Sequence, residues 1–312
     1  MVSKMYIAID LGATNLRVGI GQNKILEKVS EPTAKKSSRV ITQVVRLSEY
    51  LLKKYKTSPS AVGIASIGPF NLEEGSIIPP NLPFKKLKLV KPLEKKFKTH
   101  VHLINDCHAA VLAEKYFGAG KSVNNLVYVT LSTGIGGGAI VDGNLLLGKD
   151  GNAVHIGHTI IDFERRLRCG CGNYGCWEAY CSGANIPNFI RFLSKKIRVE
   201  NSLLFKLSKG LNELTSELLF ECAKKDDKIS MRIVDEIGRL NAIGFANMIN
   251  LFDPELITVG GSIALNNPRL VLQPIKKYVR KYAINKIPEI RITPLGEDTG
   301  LLGALIVAKK FH

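Results

Sequence analysis

Short apolar runs alternate with helical stripes along most of the chain, and this alternation predicts its secondary structure. Strands are predicted over 6–9, 17–21, 25–29, 61–68, 101–106, 125–130, 255–262 and 289–295. Helices are predicted over 39–56, 107–117, about 228–251 and 301–311. Strands that alternate with helices in this way are typical of the α/β class.

Length and composition narrow the type of protein further. With 312 residues, 45% of them hydrophobic, the chain is long enough for two domains that each have a core. No apolar run reaches the length of a membrane span, so we expect no membrane partner. The N-terminus enters a strand pattern at once, without the regions of a secretory signal. We therefore expect a cytoplasmic protein.

The formal net charge of +17 raises the hypothesis of a nucleic-acid-binding protein. The lysines between positions 85 and 98 are, however, explained by a solvated surface, which is the usual role of such runs. A basic surface would also attract anionic nucleotide substrates. We expect no nucleic-acid partner.

The segment 155–178 contains a metal-ligand pattern. It begins with His-Ile-Gly-His and continues to three cysteines in CGCGNYGCWE, namely Cys169, Cys171 and Cys176. One imidazole and three thiols complete a tetrahedral Zn²⁺ shell of the structural type, which leaves no open coordination position. The chemistry is therefore expected from polar residues that this loop holds in place, His155, His158 and Glu178.

Two glycine-containing loops follow predicted strands. In the first, DLGATN (10–15), Gly12 allows a tight turn, the Thr14 hydroxyl can meet phosphate oxygens, and Asp10 can hold Mg²⁺ through water. A plain β-turn explains this motif equally well. The second, STGIGGG (132–138), lets the backbone approach a polyphosphate, although a hairpin with a bulge is the alternative. Two such loops in two half-chains favour a nucleotide site.

Asn105 and Asp106 end the strand predicted over 101–106. A carboxylate at the carboxyl end of a strand in an α/β sheet faces the ligand crevice. Phosphoryl transfer needs one base to accept a hydroxyl proton, and Asp106 suits that role. A helix N-cap is the competing explanation for this aspartate.

Together these motifs resemble the ROK family of sugar kinases and repressors. The resemblance covers DLGATNLR (10–17), GIASIGPF (63–70), NLP (81–83), ND (105–106), LSTGIGGG (131–138), HIGH to CGCGNYGCWE (155–178), SG (182–183), VGGS (259–262) and LGEDTGLLGA (295–304). It implies an actin-like, hexokinase-type fold with two α/β domains and a cleft between them. The smaller domain would comprise 1–117 and 297–312, and the larger would comprise 118–296. The resemblance also implies transfer of phosphate from ATP, with Mg²⁺, to a hexose or N-acylhexosamine, and a homodimer.

The resemblance also implies roles for individual residues. Asp106 would be the catalytic base. Sugar ligands would be Gly68, Asn81, Asn105, Asp106, His155, His158 and Glu178. The nucleotide would contact Asp10, Gly12, Thr14, Asn15, Thr133, Gly134, Gly136, Gly137, Gly260 and Gly261. The zinc ligands would be His158, Cys169, Cys171 and Cys176.

One departure from the family pattern bears on the acceptor sugar. ROK glucokinases usually carry Glu at the position of His155, within a GExGH pattern, whereas this stretch resembles the GHIGHT of bacterial N-acetylmannosamine kinases. A neutral imidazole offers one donor and one acceptor, which could suit an acetamido carbonyl. From this imidazole we predict phosphorylation of the 6-hydroxyl of N-acetylmannosamine. The alternative interpretation, that His155 only packs near the cysteine loop, stays open.

Two alternatives remain. The first is a glucokinase or a kinase of broad hexose range. The second, of another class, is a sugar-responsive DNA-binding repressor, since ROK repressors share this fold. Only nine residues precede Asp10 in this sequence, too few for a helix-turn-helix module, so the repressor is disfavoured.

Overall fold

The computed structural model describes residues 4–78 and 83–310, which divide into two compact units. The first unit runs to Ser122 and also contains Leu145–Ala153 and the residues from Asp298 onward. The second unit consists of Val123–Asn144 and Val154–Glu297. Residues 118–122 and Leu145–Ala153, which the sequence analysis assigned to the larger domain, thus group with the first unit, and Glu297 groups with the second.

In the described part of the chain, strands alternate with helices as the α/β prediction requires. The strands are β1 (Tyr6–Leu11), β2 (Asn15–Gly21), β3 (Ile25–Pro32), β4 (Ala61–Ser66), β5 (Phe70–Asn71), β6 (Ser76–Ile77), β7 (Leu87–Lys88), β8 (Val101–Asn105), β9 (Leu126–Leu131), β10 (Ile135–Val141), β11 (Asn144–Leu145), β12 (Leu256–Gly260) and β13 (Glu289–Ile292). The helices are α1 (Ser37–Lys54), α2 (Val90–Phe97), α3 (Asp106–Tyr116), α4 (Glu178–Cys181), α5 (Ile186–Ser194), α6 (Leu203–Leu207), α7 (Ser216–Lys224), α8 (Lys228–Phe252), α9 (Ser262–Asn266), α10 (Pro268–Tyr278) and α11 (Thr299–Lys310).

The first unit is built on a five-stranded sheet in the order β3-β2-β1-β4-β8. The strands β1, β2 and β3 form an antiparallel meander, whereas β4 and β8 extend the sheet in parallel with β1. In this register Leu11 lies beside Ser66, and Ser66 lies beside Asn105. The carboxyl ends of three parallel strands therefore meet at one edge of the sheet.

Close packing of α11 fixes that edge. A methyl group at Gly63 of β4 would lie 2.0 Å from the Ala304 carbonyl oxygen, and one at Gly303 would lie 2.0 Å from that of Ala109. Glycine at both positions lets the helix approach the sheet and α3 more closely than any side chain permits. The first turn of α11 is thereby held next to the end of β1.

The second unit repeats the same sheet pattern in the order β11-β10-β9-β12-β13. The pair β9 and β10 is antiparallel, and β12 and β13 extend the sheet in parallel with β9. The long helix α8 buries Trp177 against Gly244, where a methyl group would lie 2.4 Å from the indole ring. The duplicated sheet is that of the actin-like, hexokinase-type fold predicted above.

The predicted strands and helices are confirmed, with small shifts at their ends. The short strands β5, β6 and β7, which form a separate three-stranded sheet, and the helix α2 were not predicted. The shorter helices α4–α7, α9 and α10 were not predicted individually either. Within the described residues, no helix combines the length and apolarity that crossing a bilayer requires.

Candidate active site

Asp10, at the end of β1, is a partly buried carboxylate in the first unit. Nη1 of Arg17 donates to its Oδ2 over 3.2 Å. Burial raises the pKa of Asp10, and the charge of Arg17 opposes that rise. The helix α11 begins against this carboxylate, because a methyl group at Gly300 would lie 2.9 Å from the Asp10 Cγ.

The turn that follows Asp10 leaves two predicted nucleotide ligands accessible. The Gly12 N–H donates to the Asn15 carbonyl over 3.0 Å, which closes the turn between β1 and β2. Thr14 and Asn15 are exposed. Thr33, which was not predicted from the sequence, stabilises the turn. Its hydroxyl donates to the Gly12 carbonyl over 2.7 Å and its N–H to the Thr14 carbonyl over 2.8 Å.

Asn105 and Asp106 share the beginning of α3. The N-cap is Asn105, whose Oδ1 accepts from the N–H groups of Cys107 at 2.9 Å and His108 at 3.3 Å. Since the cap engages Oδ1, the amide nitrogen is the group of Asn105 that can donate to a ligand. The N-cap alternative considered for Asp106 therefore applies to its neighbour.

The environment of Asp106 makes its carboxylate a stronger base than an ordinary aspartate. Burial, followed by the charge of Asp10, raises the pKa of Asp106 to about 6, although a hydrogen bond from the Cys107 N–H at 2.8 Å opposes this. The group is still ionised at neutral pH. A raised pKa close to the working pH is what a proton-accepting carboxylate needs.

Gly68 lies in a turn that contains the cis peptide bond to Pro69. Asn152 holds this turn, because its Oδ1 accepts from the Phe70 N–H over 3.0 Å and its Nδ2 donates to the Phe70 carbonyl over 3.3 Å. Asn152 was not predicted from the sequence, because its partner is 82 residues away. Asn81, also predicted to bind sugar, lies outside the described residues.

In the second unit, the loop between β9 and β10 carries Thr133 and Gly134, and Thr133 is exposed. Gly261, at the end of β12, is packed against it. The φ of Gly261 is +85°, a conformation that favours glycine. A methyl group on its Cα would lie 2.4 Å from the Leu131 carbonyl oxygen. Gly260 is paired with Thr130 in the sheet. Thr133, Gly134, Gly260 and Gly261 are thus gathered at one edge.

The other two glycines of the STGIGGG loop that were predicted to contact the nucleotide, Gly136 and Gly137, belong to β10. Gly136 is partly exposed, whereas Gly137 is buried, and a methyl group at Gly137 would lie 2.6 Å from Cδ1 of Ile156. Packing against Ile156 explains why glycine stands at position 137, and its contact with a nucleotide stays a prediction.

The four predicted metal ligands form one cluster. The ligand atoms of His158, Cys169, Cys171 and Cys176 all lie within 4.8 Å of one another. The Sγ atoms of Cys171 and Cys176 are 3.8 Å apart, and Cys169 Sγ lies 3.7 Å from His158 Nδ1. A tetrahedral Zn²⁺ with bonds of about 2.3 Å to sulfur requires sulfur atoms about 3.8 Å apart. The donor set and its spacing therefore fit a structural zinc ion.

A network of side chains supports the cysteine loop. Asp162 accepts hydrogen bonds from the backbone N–H and guanidinium of Arg166 and from the Tyr180 hydroxyl. Although burial opposes it, these hydrogen bonds hold the pKa of Asp162 well below its usual range. Trp177 anchors the end of the loop on α8 by donating to Asn241 Oδ1 over 2.8 Å.

His155 and Glu178 flank this cluster in the second unit. His155 is exposed, and its ring lies 6.3 Å from that of His158. It follows Val154, whose φ of +62° is unfavourable for a β-branched residue. Glu178 begins α4, and its Oε2 accepts from the Ile135 N–H over 2.8 Å.

Each unit therefore gathers part of the predicted site. The first brings together Asp10, Gly12, Thr14, Asn15, Asn105 and Asp106, and it also contains the Gly68 turn. The second brings together His158, the three cysteines, Glu178 and the loop that contains Thr133 and Gly134.

Comparisons with known proteins show the family to which this chain belongs. A model of the ROK family matches residues 6–311. The glucokinase of Pyrobaculum calidifontis is 38% identical, over 98% of this chain and 95% of that protein. The glucokinase of Thermotoga maritima is 33% identical, over 97% of each. A ROK family glucokinase from Streptomyces griseus, solved with glucose and AMPPNP, matches with a TM-score of 0.82 at 27% identity, over 98% of this chain and 99% of that one.

Proposed function

Since the chain belongs to the ROK family and is an ATP-dependent sugar kinase, we propose that its preferred acceptor is glucose, phosphorylated at the 6-hydroxyl. The observation that supports this reaction most directly is the Asp106 carboxylate, which follows β8 at its carboxyl end and has a raised pKa. The choice of glucose rests on the two glucokinases, which are 38% and 33% identical to this chain.

In this proposal Asp106 accepts the proton of the acceptor hydroxyl as that oxygen attacks the terminal phosphorus of ATP, and the bond from this phosphorus to the bridging oxygen breaks to release ADP. Phosphoryl transfer needs little covalent chemistry from the protein. The protein contributes to catalysis mainly by positioning the reactants and by supplying one base. The Asn105 amide nitrogen donates to a neighbouring sugar hydroxyl, and the Gly68 turn shapes the same part of the first unit.

The nucleotide phosphates are proposed to contact the backbone of two loops. These are the turn at Gly12 and Thr14, together with Asn15, and the loop at Thr133 and Gly134, together with Gly136, Gly260 and Gly261. Asp10 is suited to hold Mg²⁺ through water because it is a carboxylate at the end of a strand beside the first turn.

We infer that the Cys₃His cluster holds Zn²⁺ with a structural role. Four protein ligands leave no position for substrate, so the ion would order residues 158–176 rather than take part in phosphoryl transfer. Measurement of metal content by mass spectrometry tests this, and protein that is active and folded without bound zinc would contradict it.

N-acetylmannosamine, the acceptor predicted from His155, is the second candidate. The observation in its favour is that an exposed imidazole occupies the position of the family glutamate. A neutral imidazole can donate to an acetamido carbonyl, whereas a carboxylate only accepts hydrogen bonds.

A coupled assay across sugars with ATP and Mg²⁺ separates the two candidates. We expect kcat/KM for glucose to exceed that for N-acetylmannosamine. In the His155→Glu variant, the ratio of kcat/KM for glucose to that for N-acetylmannosamine should rise further, by about tenfold, because a carboxylate accepts hydrogen bonds from two vicinal hydroxyls. A wild-type preference for N-acetylmannosamine would overturn the choice of glucose but leave the kinase assignment intact. The homodimer and the cytoplasmic location stay predictions, the first testable by sedimentation.

A further inference from the structure

The carboxylate of Glu178 lies between the Cys₃His cluster and the glycine loop of the second unit. Its Oε2 accepts from the Ile135 N–H over 2.8 Å, and its Oε1 lies 3.9 Å from Cys169 Sγ. A methyl group at Gly134 would be 2.8 Å from Oε2, so the carboxylate rests directly on the loop backbone. One side chain therefore contacts both a metal ligand and the loop.

The residues after Glu178 reinforce this contact. The Gly183 N–H donates to the Ser132 carbonyl over 2.8 Å, and the Ala184 N–H donates to the Thr133 carbonyl over 3.1 Å. Three loop residues are thus hydrogen-bonded to a segment that begins two residues after the ligand Cys176. We call residues 178–184 the bracing segment.

The segment that carries the histidine ligand touches the loop from another direction. A methyl group at Gly157 would lie 2.2 Å from the Ile135 carbonyl oxygen. The Trp177 N–H donates to the Thr159 carbonyl over 2.9 Å. This bond joins the residue after His158 to the residue before the bracing segment. The segment that carries His158 and the residues that follow Cys176 are therefore both packed at the start of β10.

We propose that Glu178 is a positioning residue that couples occupancy of the Cys₃His cluster to the conformation of the loop at residues 132–135, and thereby to nucleotide affinity. With a metal held by the cluster, His158 and Cys176 would be fixed relative to each other, and the segments adjoining these ligands would hold the loop in place. Without it, these segments would be free to move, and Glu178 would no longer hold the Ile135 N–H. This inference rests on the proposed function in assigning the loop to the nucleotide.

Two substitutions at position 178 separate this role from sugar binding. Glu178→Ala removes the acceptor for the Ile135 N–H, and we expect it to weaken the affinity for AMPPNP and Mg²⁺, measured by calorimetry without sugar, by about tenfold. Glu178→Gln keeps an acceptor and should stay within about threefold of wild type. If Glu178 binds only sugar, both variants will raise the KM for sugar and leave AMPPNP affinity unchanged, which overturns the proposal.

Hydrogen exchange tests the coupling without relying on nucleotide. In the holoenzyme, Glu178→Ala should speed exchange in the peptide containing residues 132–136, and a peptide from the Gly12 turn serves as the control. Cobalt substitution shows whether the cluster is intact. The thiolate absorption of the cobalt-loaded cluster should be the same in wild type and in Glu178→Ala. Chelation of the metal should speed exchange of the loop in wild type and add little in Glu178→Ala.

The outcomes are distinct. Unchanged loop exchange in metal-loaded Glu178→Ala, with the cobalt spectrum intact, overturns the coupling even if chelation unfolds the protein. In another outcome, chelation speeds loop exchange in wild type, but the metal-loaded wild type does not bind AMPPNP. This result would refute the nucleotide assignment of the loop, and with it the predicted effect on nucleotide affinity.

Discussion

Replacing Asp106 with asparagine removes a carboxyl group whose ionised form the folded protein disfavours. Its pKa is raised from 3.8 to about 6 in the native state, chiefly by burial and then by Asp10. The stability contributed by this group is therefore fully present below about pH 4 and is lost as pH rises to about 6. A shift of this size corresponds to about 3 kcal/mol, and since the carboxylate is partly exposed we expect about 1–2 kcal/mol after solvent screening.

Asparagine keeps an oxygen that can accept from the Cys107 N–H, so the start of α3 is preserved. We expect Asp106→Asn to melt about 3 °C above wild type at pH 8, with a difference that shrinks towards zero near pH 4. Thermal unfolding followed by circular dichroism at several pH values measures this. The exposed Asp226→Asn is the matched control and should show no such trend. An Asp106→Asn variant that is no more stable than wild type at pH 8, or a gain independent of pH, would refute the reasoning.

Three further predictions follow from the site. The same raised pKa requires kcat/KM to fall about tenfold per pH unit below about pH 6, because the base must be ionised; a flat profile down to pH 5 contradicts this. Val154→Gly should raise stability by about 0.5–1 kcal/mol in urea unfolding, since relief of the left-handed backbone outweighs the added chain entropy; a loss of stability contradicts it. Asn152→Ala should raise the KM for sugar about fivefold and leave the KM for ATP unchanged, because the Phe70 backbone that orders the Gly68 turn loses both hydrogen bonds; steady-state kinetics with an equal rise in both KM values would contradict it.

Local patterns in the sequence predicted much of the fold. The apolar stripe that predicts a helix over about 228–251 corresponds to α8, and the alternation near the N-terminus corresponds to β1, β2 and β3. The spacing of the cysteines likewise predicted a cluster whose ligand atoms lie within 4.8 Å. These features depend on residues close together in the chain, where periodicity and spacing are informative.

The rest depends on contacts that no local pattern contains. Leu145–Ala153 packs with the first unit although its neighbours in the chain belong to the second. Asn152 and Thr33 brace the site through backbone partners that only the fold brings near. Asn105 rather than Asp106 takes the N-cap, because an N-cap residue precedes the helix and α3 begins at position 106.

The positive φ of Val154 was also hidden in the sequence. A β-branched residue is a poor guide to a left-handed conformation, which glycine adopts far more readily. Departures of this kind gather near functional positions, where packing and hydrogen bonds override local preference.

Single-turnover phosphorylation of glucose by wild type and Asp106→Asn, with the product identified by NMR, tests the central claim most directly. We predict glucose 6-phosphate from wild type and a rate at least about a hundredfold lower from the variant, with AMPPNP affinity within about threefold. A variant that turns over at a near-normal rate, or a wild-type product phosphorylated at another hydroxyl, would contradict the account.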